Sequence, residues 1–154
     1  MMFSKLKALF AEESKEPEKK EHTIALAVTA LMVEIMQADD DINASEHQAI
    51  FKAIEKRFEL NHDEVEALIE DAKYAQNKAM DLHQFTSLII DHYSTEERID
   101  ILKELWLIAM ADDHIDSYEE HMIRKLAKLI GVYHDEFIQA KIDARQEVIE
   151  GRSV

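Results

Sequence analysis

The sequence predicts an all-α fold, a compact bundle of about seven helices. Apolar residues recur every three or four positions along most of the chain, as they do on the buried face of a helix. The 154 residues include only two glycines and one proline, which leaves little material for the tight turns of a sheet. Since 47% of the residues are hydrophobic, a chain of this length can bury one core. We therefore expect a few long helices in a single main domain.

The N-terminal residues are predicted to lie outside that main domain. The segment 1–13 is expected to form a short amphipathic helix, too short to span a bilayer and without the long apolar run of a signal peptide. Three roles stay open for it: docking on this domain, pairing with a partner or with a second copy in a homodimer, and peripheral membrane contact. Residues 14–21, with Pro17 among Glu and Lys, are predicted to be a charged linker, so the helical domain covers 22–154. The apolar face of the first segment consists of Met2, Phe3, Leu6, Leu9 and Phe10, with Lys5 and Lys7 opposite.

Four core helices are expected in the first half of the domain. The first, about 22–38, is interrupted on its apolar surface mainly by Thr29 and Glu34, so we expect it to be central and buried nearly all round. The next three place apolar side chains on one face, and the last of them is expected to bridge the two halves of the domain. These three are predicted over 45–58, over 62–77 with Asn61 or Asp63 as the N-cap, and over 81–92.

Three helices are expected in the second half. Ser94 and Glu97 have the spacing of a capping box, which opens a second long core helix that runs through Ala111. Trp106 lies among Leu and Ile on this helix, and we interpret it as a core residue rather than a platform for a ligand. The helices that follow are predicted over 117–130, ended by Gly131 as a C-cap, and over 133–150.

An acidic turn occurs twice in the sequence, since residues 38–46 recur as 111–119. The first copy reads Ala-Asp-Asp-Asp-Ile-Asn-Ala-Ser-Glu and the second reads Ala-Asp-Asp-His-Ile-Asp-Ser-Tyr-Glu. The similarity extends to the His-Asp-Glu sequences that begin at His62 and His134. We therefore predict that the domain consists of two pseudo-repeated halves.

Each acidic turn follows an apolar helix, so its carboxylates stand at the C-terminal end of that helix. This end carries about half a negative charge, and each nearby carboxylate costs roughly 0.3–1 kcal/mol there. Two carboxylates about 5 Å apart repel each other by about 3 kcal/mol at an effective dielectric constant near 20. A divalent cation would relieve both penalties. The candidate ligands are Asp39, Asp41, Glu46, Asp112, Asp116 and Glu119.

Helix capping is the alternative explanation for the two glutamates of the turns. Asn43 with Glu46, and Asp116 with Glu119, have the N-cap and N3 spacing of a capping box. Capping does not account for the aspartate at the second position of each copy. The metal hypothesis therefore depends most on those aspartates.

A standard calcium-binding EF-hand is excluded by the residues of both turns. The first copy has Ala44 where the EF-hand loop needs Gly, and Ile50 where it needs a bidentate Glu. The second copy fails in the same way, with Ser117 and Ile123. Any metal site formed by these turns must therefore be of another kind.

At these turns the chain resembles the TerB family, named for tellurite resistance and related to the N-terminal domain of a membrane-anchored DnaJ-like protein. The family pattern is roughly Ala-Asp-Gly-x-Ile-Asp-x-x-Glu, which closes one helix and opens the next, and it corresponds here to 38–46 and 111–119. The resemblance covers about residues 22–145. It implies an all-helical domain, an acidic divalent-metal site and a role in stress-response systems that often work near membranes. Where the family favours Gly, this chain carries Asp40 and Asp113.

The net charge of the chain limits the classes of partner that it can bind. A net charge of −15, from 33 acidic against 18 basic residues, repels phosphate backbones and argues against nucleic acid. The acidic excess suits cations or a basic protein surface. Our first hypothesis is a binding domain that holds Ca²⁺, Mg²⁺ or Mn²⁺ through the acidic turns. The alternative is a metal-free protein-protein interaction module that uses the acidic face or the N-terminal helix.

An enzymatic role is not expected. The sequence contains no cysteine, no serine-centred catalytic motif and no glycine-rich phosphate loop. The lack of cysteine excludes disulfides, thiol catalysis and Cys-ligated zinc, and it makes the cytoplasm the expected compartment. A metal-dependent hydrolase is the remaining catalytic alternative, and it requires a pocket beside the acids.

Overall fold

The computed structural model describes residues 17–37, 44–77, 82–111, 115 and 117–153. Within these ranges the chain forms seven helices and no strand, which confirms the predicted all-α class and the expected number of helices. The helices are α1 (Pro17–Gln37), α2 (Ala44–Phe58), α3 (His62–Asn77), α4 (Leu82–His92), α5 (Thr95–Ala109), α6 (Ser117–Leu129) and α7 (His134–Ser153).

The core is built around α1. Every residue from Ile24 to Met36 is buried except Glu34, and the helix packs against α2, α3, α4, α5 and α6. The hydroxyl of Thr29 donates a 2.7 Å hydrogen bond to the carbonyl oxygen of Ala25, so this polar group is satisfied within the helix. The structure therefore confirms the prediction that the first core helix is central and buried nearly all round.

The start of α1 differs from the predicted start. The helix begins at Pro17 instead of residue 22, so residues 17–21 of the predicted linker are helical. Proline is favourable at the first helical position, because the N–H that it lacks would have no partner there and its φ angle already suits a helix. The proline interpreted as a linker residue therefore begins the helix.

The second long core helix, α5, packs against α7 as well as against α1. Trp106 on α5 is fully buried, and the centre of its ring lies 5.2 Å from that of Phe137 on α7. Burial of this indole confirms that Trp106 is a core residue. The other buried residues of α5 are Ile101, Leu102, Leu105, Ile108 and Ala109.

Two capping boxes open helices, as the sequence predicted for one of them. The Ser94 hydroxyl accepts a hydrogen bond from the Glu97 backbone N–H at 3.2 Å, and the Glu97 carboxylate accepts one from the Ser94 N–H at 2.9 Å. Asn61 and Glu64 make the same reciprocal pair ahead of α3. Of the two caps considered for α3, Asn61 is therefore the one that forms.

Gly131 ends the turn that follows α6. Its φ angle is +74°, which lies in the left-handed region, and the Val132 N–H donates to the Ala127 carbonyl at 2.8 Å. The Gly131 N–H donates to the Lys128 carbonyl at 3.1 Å, which completes a Schellman motif and confirms the predicted glycine C-cap.

Several predictions fall partly or wholly outside the described residues. These include the amphipathic helix over 1–13 and most of the two acidic turns, and the division into pseudo-repeated halves stays a prediction. In the part of the chain that the structure describes, no helix is long and apolar enough to cross a membrane.

Candidate functional site

The structure describes only part of the predicted metal site. The backbone of Glu46 lies in the first turn of α2, but its side chain is outside the described part. Glu119 is the one candidate whose side chain is described. The candidates that lie wholly outside the described residues are Asp39, Asp41, Asp112 and Asp116.

Glu119, the last residue of the second acidic turn, is buried in the first turn of α6. Only 1% of the residue is exposed, and it is the only charged residue in the buried class among the described residues. The positive end of the α6 dipole favours a carboxylate at this position, but burial of a charged group demands strong compensation. Its neighbour Glu120, by contrast, is only half-buried, and it pairs with Lys141 at 2.9 Å. The second acidic turn therefore ends in a carboxylate that is withdrawn from water.

An ion pair joins the C-terminal end of α2 to the middle of α5. Arg57 donates hydrogen bonds from Nε to both carboxylate oxygens of Glu104, at 3.1 and 3.0 Å, and from Nη2 to Oε1 at 2.8 Å. Nη2 also donates to the Asp100 carboxylate at 2.9 Å. These contacts place the C-terminal end of α2 beside residues 100–104, in the middle of α5.

Helices α2 and α5 run antiparallel. The start of α2 and the end of α5, each of which adjoins one acidic turn, therefore lie at the same end of the bundle. Ala49, early in α2, lines the same groove as Leu107 and Ile108, late in α5. Arg57 and Phe58, at the end of α2, line a second groove with Glu97, at the start of α5, so the start of α2 faces the end of α5. The first acidic turn leads into α2 and the second follows α5, so the chain enters or leaves both turns at this same end.

Arg57, Glu104, Asp100 and Tyr93 form what we call the Arg57 cluster, and burial and neighbouring charges shift pKa values within it. Burial raises the pKa of the Glu104 carboxyl above its usual value, although the hydrogen bonds and charge of Arg57 act in the opposite direction. Burial alone would lower the pKa of the Arg57 guanidinium, but Glu104, Tyr93 and Asp100 together raise it. The guanidinium carbon lies 5.9 Å from the centre of the Tyr93 ring, and burial raises the pKa of that phenol. Arg57 is thus a permanent cation held between two helices.

Within the described ranges, no group of three or more His, Asp or Glu side chains has an arrangement that could hold a metal ion. In the Arg57 cluster, both carboxylates already pair with the guanidinium of Arg57. A metal site of this protein would therefore depend on the acids of the two turns, including Glu119.

Sequence reasoning missed the Arg57 cluster. Glu104 is an acid within the apolar segment 99–111, and that interruption was a usable signal of a buried partner. The partner lies 47 residues away in the sequence, and no local pattern connects the two. Periodicity locates the faces of a helix, whereas the pairing of faces is decided by the packing of the whole bundle.

Comparison with known proteins identifies the family of this chain. The family model described as "Tellurite resistance protein TerB" matches residues 25–142, which include both acidic turns and the helices from most of α1 to the first half of α7. No curated protein and no solved structure matches the chain. Because the match covers most of its length, the chain belongs to the TerB family.

Proposed function

We propose that this TerB-family chain is a non-enzymatic binding domain whose two acidic turns together hold a divalent cation, Ca²⁺, Mg²⁺ or Mn²⁺, within a stress response of the tellurite-resistance type. The buried position of Glu119 carries the proposal. A carboxylate withdrawn from water beside further acids is strongly stabilised by a cation. Hard divalent cations prefer carboxylate oxygens, and these turns are rich in them.

The antiparallel packing of α2 and α5 supports a single shared site rather than two separate ones. It brings the start of α2 and the end of α5 to the same end of the bundle, and each of these helix ends adjoins one acidic turn. The proposed ligands are Asp39, Asp41 and Glu46 from the first turn and Asp112, Asp116 and Glu119 from the second.

A metal titration of the chelator-treated protein tests this proposal. A ligand that binds only the folded state stabilises it by about 2.7 kcal/mol at a hundredfold excess over its Kd. We therefore expect the melting temperature to rise by roughly 5–10 °C in a saturating concentration of one of the three ions. Calorimetric titration should give saturable heat with the same ion.

The variant Glu119→Gln should lose most of this thermal shift. Glu120→Gln is the matched control, because it removes the adjacent charge in the same helical turn and breaks only the pair with Lys141. The control should keep the metal response. If no heat and no thermal shift occur with millimolar Ca²⁺, Mg²⁺ or Mn²⁺, the proposal is wrong.

A further inference from the structure

A groove of about 540 Å³ lies between α2 and α5, with the later part of α7 at its edge. We call this the basic groove. Its floor is apolar and includes Ala49, Ala53 and Leu107, all of them half-buried. Lys52 and Lys56 stand on its α2 side, and both side chains are exposed. The groove is thus a cleft with an apolar base and a cationic wall.

The cationic wall has an excess of positive charge. Arg57 pairs with both Glu104 and Asp100, and Lys103 pairs with Glu147 at 3.4 Å. The groove is thus lined by four cations and three carboxylates, a net charge of +1. Neither Lys52 nor Lys56 forms an ion pair with another described residue. These two ammonium groups face the cleft in a chain whose net charge is −15.

The shape of the groove follows from the spacing of its α2 residues. Positions 49, 52, 53 and 56 differ by three, four and seven residues, so they form one stripe about two turns, or about 10 Å, long. Alanine at two of these positions keeps the base of the cleft open. A straight cleft between two helices, with an apolar base, suits the apolar face of a third helix.

Charge decides which helix would dock there. An acidic partner is repelled by a surface with a large negative net charge, so it is attracted only where the local potential is positive. A basic partner would instead favour the acidic surfaces elsewhere on the chain. A small inorganic anion would gain nothing from the apolar base of the groove.

We propose that the basic groove binds a short amphipathic helix of another protein, with its apolar side on Ala49, Ala53 and Leu107 and its carboxylates beside Lys52 and Lys56. This binding does not depend on a metal ion, and it uses a different part of α2 from the acidic turn. The proposal therefore stands or falls separately from the proposed metal site.

The test uses the full chain and fluorescein-labelled helical peptides about four turns long. The probe peptides carry Leu at positions i, i+3, i+4 and i+7, flanked by Glu. One control series replaces Glu by Lys, and another replaces Leu by Ser. Fluorescence anisotropy should show saturable binding of the Leu/Glu peptides, weakened by added salt, and much weaker binding of both control series.

Charge reversal on the protein locates the binding site. The double variant K52E/K56E should weaken binding by about tenfold or more, since two attractions become two repulsions. K125E/K128E on α6 is the matched control: it makes the same change in net charge at two exposed lysines, and it too places one reversal in the last turn of its helix. Ala53→Leu fills the base of the groove without removing a charge and should also weaken binding.

Four outcomes would overturn the proposal. These are no binding of any Leu/Glu peptide at millimolar concentration, equal losses in the two charge-reversal variants, equal binding of the Ser-substituted peptides, and full binding by Ala53→Leu. A concentration-dependent dimer that K52E/K56E dissociates would assign the groove to a second copy of this chain instead. Circular dichroism of each variant establishes that a loss of binding is not a loss of fold.

Discussion

Arg57 donates hydrogen bonds to both carboxylate oxygens of Glu104, at distances between 2.8 and 3.1 Å, and so joins α2 to α5. The two side chains are 13% and 21% exposed, so the pair is largely screened from water. Removal of one partner leaves the other charge in a poorly hydrated position.

We expect Glu104→Ala to lower the free energy of unfolding by about 1–3 kcal/mol, measured by urea denaturation. The control is Glu147→Ala, which breaks the more exposed pair with Lys103 and should cost less than about 1 kcal/mol. Replacement of both partners, Arg57→Leu with Glu104→Leu, should recover much of the loss, because no charge is then left buried. Equal losses in Glu104→Ala and Glu147→Ala would contradict this account of the pair.

Gly131 should be the glycine that does not tolerate a side chain. Its φ angle of +74° disfavours any L-residue, and an added Cβ would lie 2.9 Å from Nη1 of Arg98, which donates to the Ile130 carbonyl. We expect Gly131→Ala to destabilise the protein by about 1–2 kcal/mol in thermal or chemical denaturation. Gly151→Ala is the control, since Gly151 is helical and nothing lies within 4 Å of its added Cβ. It should be neutral or stabilising by roughly 0.5 kcal/mol.

The capping box of α5 should make stability depend on pH. Hydrogen bonds from the Ser94 backbone and side chain lower the pKa of Glu97 below its ordinary value of 4.5. A carboxyl with a lowered folded-state pKa stabilises the fold above its ordinary pKa, and this contribution is lost as the pH falls through the lowered pKa. Glu97→Gln should therefore melt below the wild type at pH 7, and the difference should shrink below about pH 4.

Glu96→Gln is the control for this pH dependence. Glu96 lies in the same first turn of α5 and is exposed, but it makes no side-chain hydrogen bond with the residues that the structure describes. Its substitution should change the melting temperature less than Glu97→Gln at neutral pH. A Glu97→Gln difference that stays constant from pH 7 to about pH 3 would show that the charge of Glu97 does not stabilise the cap.

The proposed shared metal site predicts a specific stoichiometry. If both acidic turns bind one ion, Asp39→Asn and Asp112→Asn should each abolish the metal-dependent heat and thermal shift. If each turn binds its own ion, each variant should keep one of two sites. Calorimetric titration of the wild type and both variants distinguishes these results, and one retained site per variant would contradict a shared site.

Local patterns in the sequence were sufficient to predict most of the fold. The burial of α1, the capping box at Ser94, the C-cap at Gly131 and the core position of Trp106 all follow from residues close together in the chain. The early start of α1 was missed because charged residues around Pro17 suit a linker as well as a helix start.

The candidate site was less predictable for a physical reason. Glu119 was singled out by its spacing, but its burial depends on how α6 packs against the rest of the bundle. Arg57 and Glu104, which join α2 to α5, are 47 residues apart in the sequence. Pairing of this kind is a property of the whole chain and has no local signature.

The position of α1 has a consequence for how this repeated sequence behaves as a whole. Because α1 contacts α2, α3 and α4 from the first half and α5 and α6 from the second, neither half has a complete hydrophobic interior of its own. Truncation between α4 and α5 would give one fragment in which α1 exposes apolar surface to water. The other fragment would lack α1. The two halves should therefore melt in one cooperative transition, as expected for a single domain.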